Sequence, residues 1–124
     1  MSKTDIPALA GFRLEDSYVL DLVTLDTAVV FVVDLAITPE HPEYQQPGAG
    51  EQLSFRRARL EVSGARTVHW VERVMRGFTD ATGEVDFGCI DSWRLKGELS
   101  VITGDWGVLE IDGGTVVVEL LEPL

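Results

Sequence analysis

Apolar and polar residues alternate with a period of two along most of this chain, a pattern typical of β-strands. In AVVFVVDLAIT, residues 28–38, one face of an extended chain carries Val29, Phe31, Val33, Leu35 and Ile37. Most of these are β-branched or aromatic, and such residues favour strands. The opposite face is only partly polar, so the pattern predicts a central strand or one that is half-covered on its second side.

Neighbouring segments continue the alternation. SYVLDLVTLD, residues 17–26, comes just before this strand, and the short connection predicts an antiparallel hairpin. In residues 54–64 the inward positions are Ala58, Leu60 and Val62, and the outward positions are Arg57, Arg59 and Glu61. RTVHWV, residues 66–71, predicts a further short strand.

Residues 70–78 fit two structures. Val71, Val74, Met75 and Phe78 have helical spacing, and Gly77 is a suitable C-terminal stop. Strand alternation fits equally well as far as Val74. The sequence leaves open whether this segment is a short helix or an extended chain.

The last part of the chain predicts more strands joined by glycine-rich turns. Residues 85–104 indicate a strand, an interruption near residues 88–92, and then a long strand with Trp93, Leu95, Leu99 and Val101 on one face. TGDWG, residues 103–107, predicts a turn or bulge. In WGVLEIDGGTVVVEL, residues 106–120, the Asp112, Gly113 and Gly114 cluster predicts a hairpin turn.

These elements predict an all-β fold. We expect seven to eight antiparallel strands in a sandwich or flattened barrel, with at most one short helix, because short connections favour meanders over βαβ crossovers. The chain of 124 residues fits one domain, 1–124. Residues 39–52 are rich in proline and glycine and predict a loop.

The charge balance limits the classes of partner. With 21 acidic and 10 basic residues, the formal net charge is -11, which repels phosphate and disfavours nucleic acid and anionic membranes as partners. The start of the chain lacks the apolar core of a secretory signal, and the longest apolar run is too short to span a bilayer. The single cysteine, Cys89, excludes an internal disulfide. We expect a cytoplasmic protein.

The arginines are concentrated in one segment. Residues 56–76 contain six of the ten basic residues and only two acids. One hypothesis is that arginines such as Arg57 and Arg59 pair across the sheet with acids such as Asp21, Asp34 or Glu110. The other is a basic stripe that docks an acidic partner or a second copy of the chain. The candidate residues for such a surface are Arg57, Arg59, Arg73, Arg76 and Trp106.

The chain has no catalytic or cofactor motif. The possible zinc ligands, His41, His69 and Cys89, have no recognised spacing, and Asp80, Glu84 and Asp86 do not follow the calcium-loop pattern. Cys89 alternates with apolar residues and is expected to be a buried, inert thiol. We therefore expect no metal and no cofactor. If a small-ligand site exists, its candidates are His69, Asp91 and Trp106.

Three tryptophans remain to be placed. Trp70 and Trp93 fit the core, whereas Trp106, in the glycine-flanked turn, fits either the end of the core or an exposed anchor for a partner.

Three stretches carry a resemblance to known proteins: LEDSYVLDL, RRARLEVSGARTVHW and VDFGCIDSWRLKGELSVITGDWGVLEIDGGTVVVE. Their order and spacing resemble a group of small, mostly bacterial β-rich proteins, some of them similar to immunity proteins that neutralise toxins by binding them. The resemblance implies an all-β fold and a binding role, and it supplies no catalytic residue. The expected function is a non-catalytic protein-interaction module, with toxin neutralisation as its specific form. The alternatives are a small-ligand-binding β domain or enzyme, and a structural homodimer.

Overall fold

A computed structural model describes residues 7–42, 44, 54–79 and 83–121 and confirms the all-β antiparallel fold. It contains one turn of 3-10 helix, Pro7–Leu9, and no α-helix in the described ranges. The strands are β1 (Phe12–Thr24), β2 (Ala28–Ile37), β3 (Ser54–Arg73), β4 (Phe78–Thr79), β5 (Val85–Asp86), β6 (Ile90–Lys96), β7 (Leu99–Gly104) and β8 (Gly107–Leu120).

Six of the strands form one curled sheet in the order β1-β2-β3-β8-β7-β6, and β4 pairs with β5 separately. The sheet folds over because β3 and β8 each take part in two layers. The first half of β3 pairs with β2 and with the end of β8, while its second half pairs with the start of β8. The start of β8 also pairs with β7. The result is a flattened barrel with β1 and β2 in one layer and β6 and β7 in the other.

The two edge strands meet where the barrel closes. The Val19 N–H donates to the Gly88 carbonyl and the Phe87 N–H donates to the Val19 carbonyl, both at 2.8 Å. Tyr18 and Cys89 form an isolated antiparallel bridge at the same point. These contacts bring the segment after β5 against the middle of β1.

The hairpin turn predicted at residues 112–114 is absent. Asp112, Gly113 and Gly114 do not form a hairpin, because β8 runs through them to Leu120. Gly113 and Gly114 have φ values of +77° and +93°, and they bend β8 where β3 bends at Gly64, φ +71°. Both glycines do adopt the left-handed conformation that a turn would need. With β3 beside both halves of β8, the left-handed residues produce a bend in place of a chain reversal.

The strand predicted from Trp93 to Val101 is instead the β6–β7 hairpin. Lys96 pairs with Leu99, and Gly97 and Glu98 form the two-residue turn. Gly97 has a φ of +64°, as the first position of a type II′ turn requires. The reversal puts Ile102, not Val101, beside Trp93 on the inner face.

The segment after Trp70 is extended and not helical. β3 continues to Arg73 because Gly107 in β8 supplies its pairing partner, and residues 74–77 have no regular structure. The predicted β1–β2 hairpin is confirmed, as are the inward positions of Ala58, Leu60 and Val62. Most of the predicted loop at 39–52 lies outside the described residues, as does Asp80.

The core fills the space between the two layers. Its largest fully buried side chains are Trp106, Phe31, Leu9, Leu35, Ile37, Leu60, Ile90, Ile102, Leu109 and Ile111. The irregular start of β1 leaves a gap in its ladder with β2, and the buried Ser17 hydroxyl bridges it. That hydroxyl accepts from the Ala36 N–H at 2.9 Å and donates to the Arg13 carbonyl at 2.8 Å.

Candidate interaction surface

Arg57 and Arg59 bind carboxylates of their own chain. Arg57 Nε donates to Asp34 Oδ1 at 3.1 Å, across the β2–β3 ladder in which the two residues are partners. Its Nη2 lies 3.3 Å from Glu84 Oε1. Arg59 Nη2 lies 2.9 Å from Glu61 Oε1 in the same strand. The predicted cross-strand pairing is confirmed for Arg57 with Asp34, whereas Arg59 forms its ion pair with Glu61 of its own strand and with neither Asp21 nor Glu110.

Arg56 and Arg66 are also tied to neighbouring strands. Arg66 Nη2 contacts Asp112 Oδ1 at 2.7 Å and Glu98 Oε2 at 3.0 Å, and the hydrogen bond from Arg66 lowers the pKa of Asp112. Arg56 Nη2 donates to the Leu121 carbonyl at 3.1 Å. Three of the six clustered arginines, Arg56, Arg57 and Arg66, therefore join β3 to other segments, while Arg59 pairs within β3.

Arg73 and Arg76 differ from the other four. The Arg73 guanidinium carbon lies 5.1 Å from the centre of the Trp70 ring, a cation–π geometry. Trp70 is fixed in turn, since its Nε1 donates to Thr24 Oγ1 at 3.2 Å. Both arginines are exposed, and neither forms an ion pair with a residue in the described part of the chain.

Exposed apolar side chains lie in the same segment as these two arginines and in the strand beside it. Val71, Val74, Phe78 and Val85 are exposed by 53%, 46%, 46% and 47%. Three of them lie within residues 71–78, and the β4–β5 pairing sets Val85 opposite Thr79. Scattered exposed apolar residues are ordinary, but a cluster on one surface is typical of a binding site.

The backbone holds this cluster against the β7–β8 turn. The N–H groups of Val74 and Met75 both donate to the Trp106 carbonyl, at 2.9 and 3.1 Å. Met75 has a φ of +47°, the only positive value for a residue other than glycine in the described ranges. Such strained residues persist only where the surrounding contacts hold them, and they concentrate at functional sites.

Three aspartates complete this end of the molecule. Asp105 Oδ2 accepts from the Cys89 N–H at 3.1 Å, and Asp86 Oδ1 accepts from the Gly88 N–H at 2.8 Å. Partial burial and repulsion from Asp105 raise the pKa of Asp91. Partial burial and then the same carboxylates raise the pKa of the Cys89 thiol, so a smaller fraction of it is thiolate at neutral pH than in free cysteine.

We use the name end surface for these nine residues: Val71, Arg73, Val74, Arg76, Phe78, Val85, Asp86, Asp91 and Asp105. Next to it lies a hollow of about 340 Å³, lined by Tyr18, Leu20, Asp34, Glu84 and Asp86.

Trp106 lies beneath the end surface and not on it. Its side chain is fully buried, with its ring centre 5.6 Å from Phe31 and 5.9 Å from Trp70, both edge-to-face. The expectation that Trp106 is an exposed anchor is therefore wrong. The tight turn at Asp105 and Trp106 directs the indole inward. Trp93 is 7% exposed and belongs to the core, as predicted.

The candidate ligand residues do not converge. His69 is exposed on β3 opposite Glu110, whereas Asp91 lies on β6 with β8 and β7 between them. With Trp106 buried, the three residues share no site. Within the described ranges, no three His, Cys, Asp or Glu side chains are placed to hold a metal ion.

The sequence predicted Arg73 and Arg76 for an interaction surface and Asp91 for a ligand site, but it did not point to the apolar part of the end surface. In the sequence, the only pattern that distinguishes Val71, Val74 and Phe78 is their helical spacing. The sequence feature that could have indicated it is the break in apolar–polar alternation after Trp70. There β3 bulges between Trp70 and Glu72, and Val71 turns outward.

Comparison of the chain with protein-family models, with curated proteins and with solved structures found no significant match. In the part of the chain that the structure describes, no helix has the length and apolar character needed to cross a membrane.

Proposed function

We propose that this protein is a non-catalytic interaction module that binds a protein partner through the end surface. One observation carries the proposal. Arg73 and Arg76 stand among exposed apolar side chains and form no ion pair with a described residue, whereas Arg57, Arg59 and Arg66 all do. Arginine is enriched at the energetic centres of protein interfaces, and the fully buried core of an interface is apolar and rich in aromatic residues such as Phe78.

The chemistry of the end surface defines its partner. Val74 and Phe78 gain free energy when a partner covers them. Arg73 and Arg76 offer planar guanidinium groups for carboxylates, while Asp91 and Asp105 favour bases placed a short distance away. The partner should therefore present an apolar patch with acidic groups on one side and basic groups on the other.

Toxin neutralisation is the specific form that we favour. A net charge of -11 accelerates association with a basic protein, and nuclease toxins carry basic clefts for their substrates. The aspartates of the end surface would meet that cleft, while its apolar residues would supply the affinity. This proposal assigns the protein to the cytoplasm of a bacterium, where a toxin of this kind acts.

A pull-down from host lysate supplemented with candidate toxins tests the proposal. The wild-type protein should capture a partner in stoichiometric amount. The double variant Arg73→Ala/Arg76→Ala should reduce its affinity by at least tenfold, because centrally placed interface arginines contribute about 2 kcal/mol or more each. The matched control is Arg94→Ala/Lys96→Ala, which removes two exposed bases from β6.

Equal capture by both double variants would place the interface elsewhere and contradict the proposal. Size-exclusion chromatography of the purified protein shows whether it is a monomer or a dimer and so tests the homodimer alternative. A dimer that dissociates in the Arg73→Ala/Arg76→Ala variant would make the partner a second copy of the chain.

A further inference from the structure

The last part of β8 is the edge of a layer. The β7–β8 pairing ends with Leu99 opposite Asp112, followed by a hydrogen bond of 2.8 Å from the Gly113 N–H to the Glu98 carbonyl. Beyond the bend, residues 115–120 continue to pair with β3 on one side. Among the described residues, no strand pairs with their other side.

The direction of the free backbone groups follows from one hydrogen bond. The Leu121 N–H donates to the Arg57 carbonyl at 2.8 Å, so the backbone of Leu121 faces β3. Because backbone groups alternate in an antiparallel strand, those of Val117 and Glu119 face β3 as well. The N–H and C=O groups of Val116 and Val118, and likewise of Leu120, therefore point away from β3. Exposed groups of this kind are a template for another strand.

A groove of about 550 Å³ lies at the start of this edge, where Thr115 and Val116 contribute to its lining. It lies between β8 and the tip of the β6–β7 hairpin, at the opposite end of β7 from the end surface. Its lining is Ala8, Arg66, Leu95, Gly97, Glu98, Ser100, Gly113, Gly114, Thr115 and Val116. Leu95 is 38% exposed here, although its partner in the β6–β7 ladder, Ser100, is buried. Leu95 and Val116 therefore offer apolar contacts to side chains on the inner face of an added strand.

The charged residues beside the edge determine which outward-facing side chains an added strand should carry. Glu119 points outward from β8, and the Glu98 side chain is 76% exposed at the rim of the groove. Arg66 already contacts two carboxylates, and Arg59, opposite Glu119, has its ion pair with Glu61. Of the carboxylates beside the edge, Glu119 is the one that forms no ion pair with a described residue, and together with the net charge of -11 it favours a strand with basic outer residues.

We propose that the free edge of β8 binds an extended segment of a partner protein, adding a strand to the sheet. Apolar residues of the segment face the groove and its alternate residues are basic. This mode of recognition derives affinity from main-chain hydrogen bonds and specificity from pockets for every second side chain. It is a second site, separate from the end surface, since β7 alone spans about 20 Å.

Amide hydrogen exchange measured by NMR tests the proposal with synthetic peptides. The probe is a short, end-capped peptide of alternating valine and lysine. Its controls are the same peptide with alternate amides N-methylated, and a peptide of alternating valine and glutamate. The probe should slow exchange at Val116, Val118 and Leu120 by roughly tenfold or more, and the N-methylated peptide should not. The glutamate peptide should bind at least several-fold more weakly.

Variants of Val118 supply an independent readout. Val118→Pro removes an N–H that faces the free edge and leaves the β3 ladder intact, since proline is tolerated at that position of an edge strand. It should weaken peptide binding roughly tenfold, whereas Val118→Ala should bind as the wild type does. Arg73→Ala/Arg76→Ala should also bind the peptide normally, which separates this site from the end surface.

Three results would overturn the proposal. Unchanged exchange at the edge with the probe would exclude strand addition. Equal protection by the N-methylated peptide would reduce the interaction to side chains in the groove. Slow exchange at these amides without peptide, increasing with protein concentration, would assign the edge to a second copy of the chain.

Discussion

Replacing Gly114 by alanine should strongly destabilise the protein, because Gly114 lies in the bend that folds the sheet into a barrel. Its φ of +93° costs a residue with a side chain about 1–2 kcal/mol. The added methyl group would also lie 2.9 Å from Val62 Cγ1 and 3.1 Å from the Ser63 carbonyl oxygen. Since Val62 is buried and Ser63 contributes backbone, neither neighbour moves freely, and such overpacking costs a further ~1–3 kcal/mol.

Gly64 provides the matched control on the other side of the bend. Its φ of +71° imposes a similar conformational cost, but an added Cβ would meet no atom within 4 Å. Urea unfolding should therefore show Gly114→Ala less stable than Gly64→Ala by about 1–3 kcal/mol, a midpoint difference on the order of 1 M. Equal midpoints for the two variants would refute the packing part of this reasoning. A Gly64→Ala protein as stable as the wild type would refute the conformational part.

Three further predictions concern single side chains. Ser17→Ala should lower the free energy of unfolding by about 1–3 kcal/mol in urea titrations, because the buried Ala36 N–H loses its acceptor. Asp91→Asn should stabilise the protein by a few tenths of a kcal/mol at neutral pH. Since partial burial and then repulsion from Asp105 raise the pKa of Asp91 in the folded state, this gain should disappear as the pH falls through that pKa. The Cys89 thiol, whose pKa is raised, should react with iodoacetamide more slowly than free cysteine at neutral pH and approach it at alkaline pH.

Alternation of apolar residues predicted the strands because the buried and exposed faces of a strand can be assigned from consecutive residues alone. It correctly placed the β1–β2 hairpin and the inward side of the first half of β3. Turns were harder. The sequence predicted a turn at Gly113 and Gly114 and a continuous strand through Gly97, yet the first site bends a strand and the second reverses the chain. The difference depends on whether a neighbouring strand continues alongside, and a single segment does not contain that information.

The candidate site shows the same division between local and long-range information. The pairing of Arg57 with Asp34 followed from charge and strand order. The burial of Trp106 did not, because it depends on Phe31 and Trp70, which are distant in sequence. The exposure of Val74 depends in turn on the Trp106 carbonyl, which anchors residues 74 and 75 at the end of the barrel.

Hydrogen–deuterium exchange on the complex with the captured partner tests the end surface most directly. Slower exchange is expected within residues 71–79, 85–91 and 105–107, with little change on the outer face of β1 and β2. Protection confined to β1 and β2, or to the free edge of β8, would contradict the assignment of the end surface as the main interface.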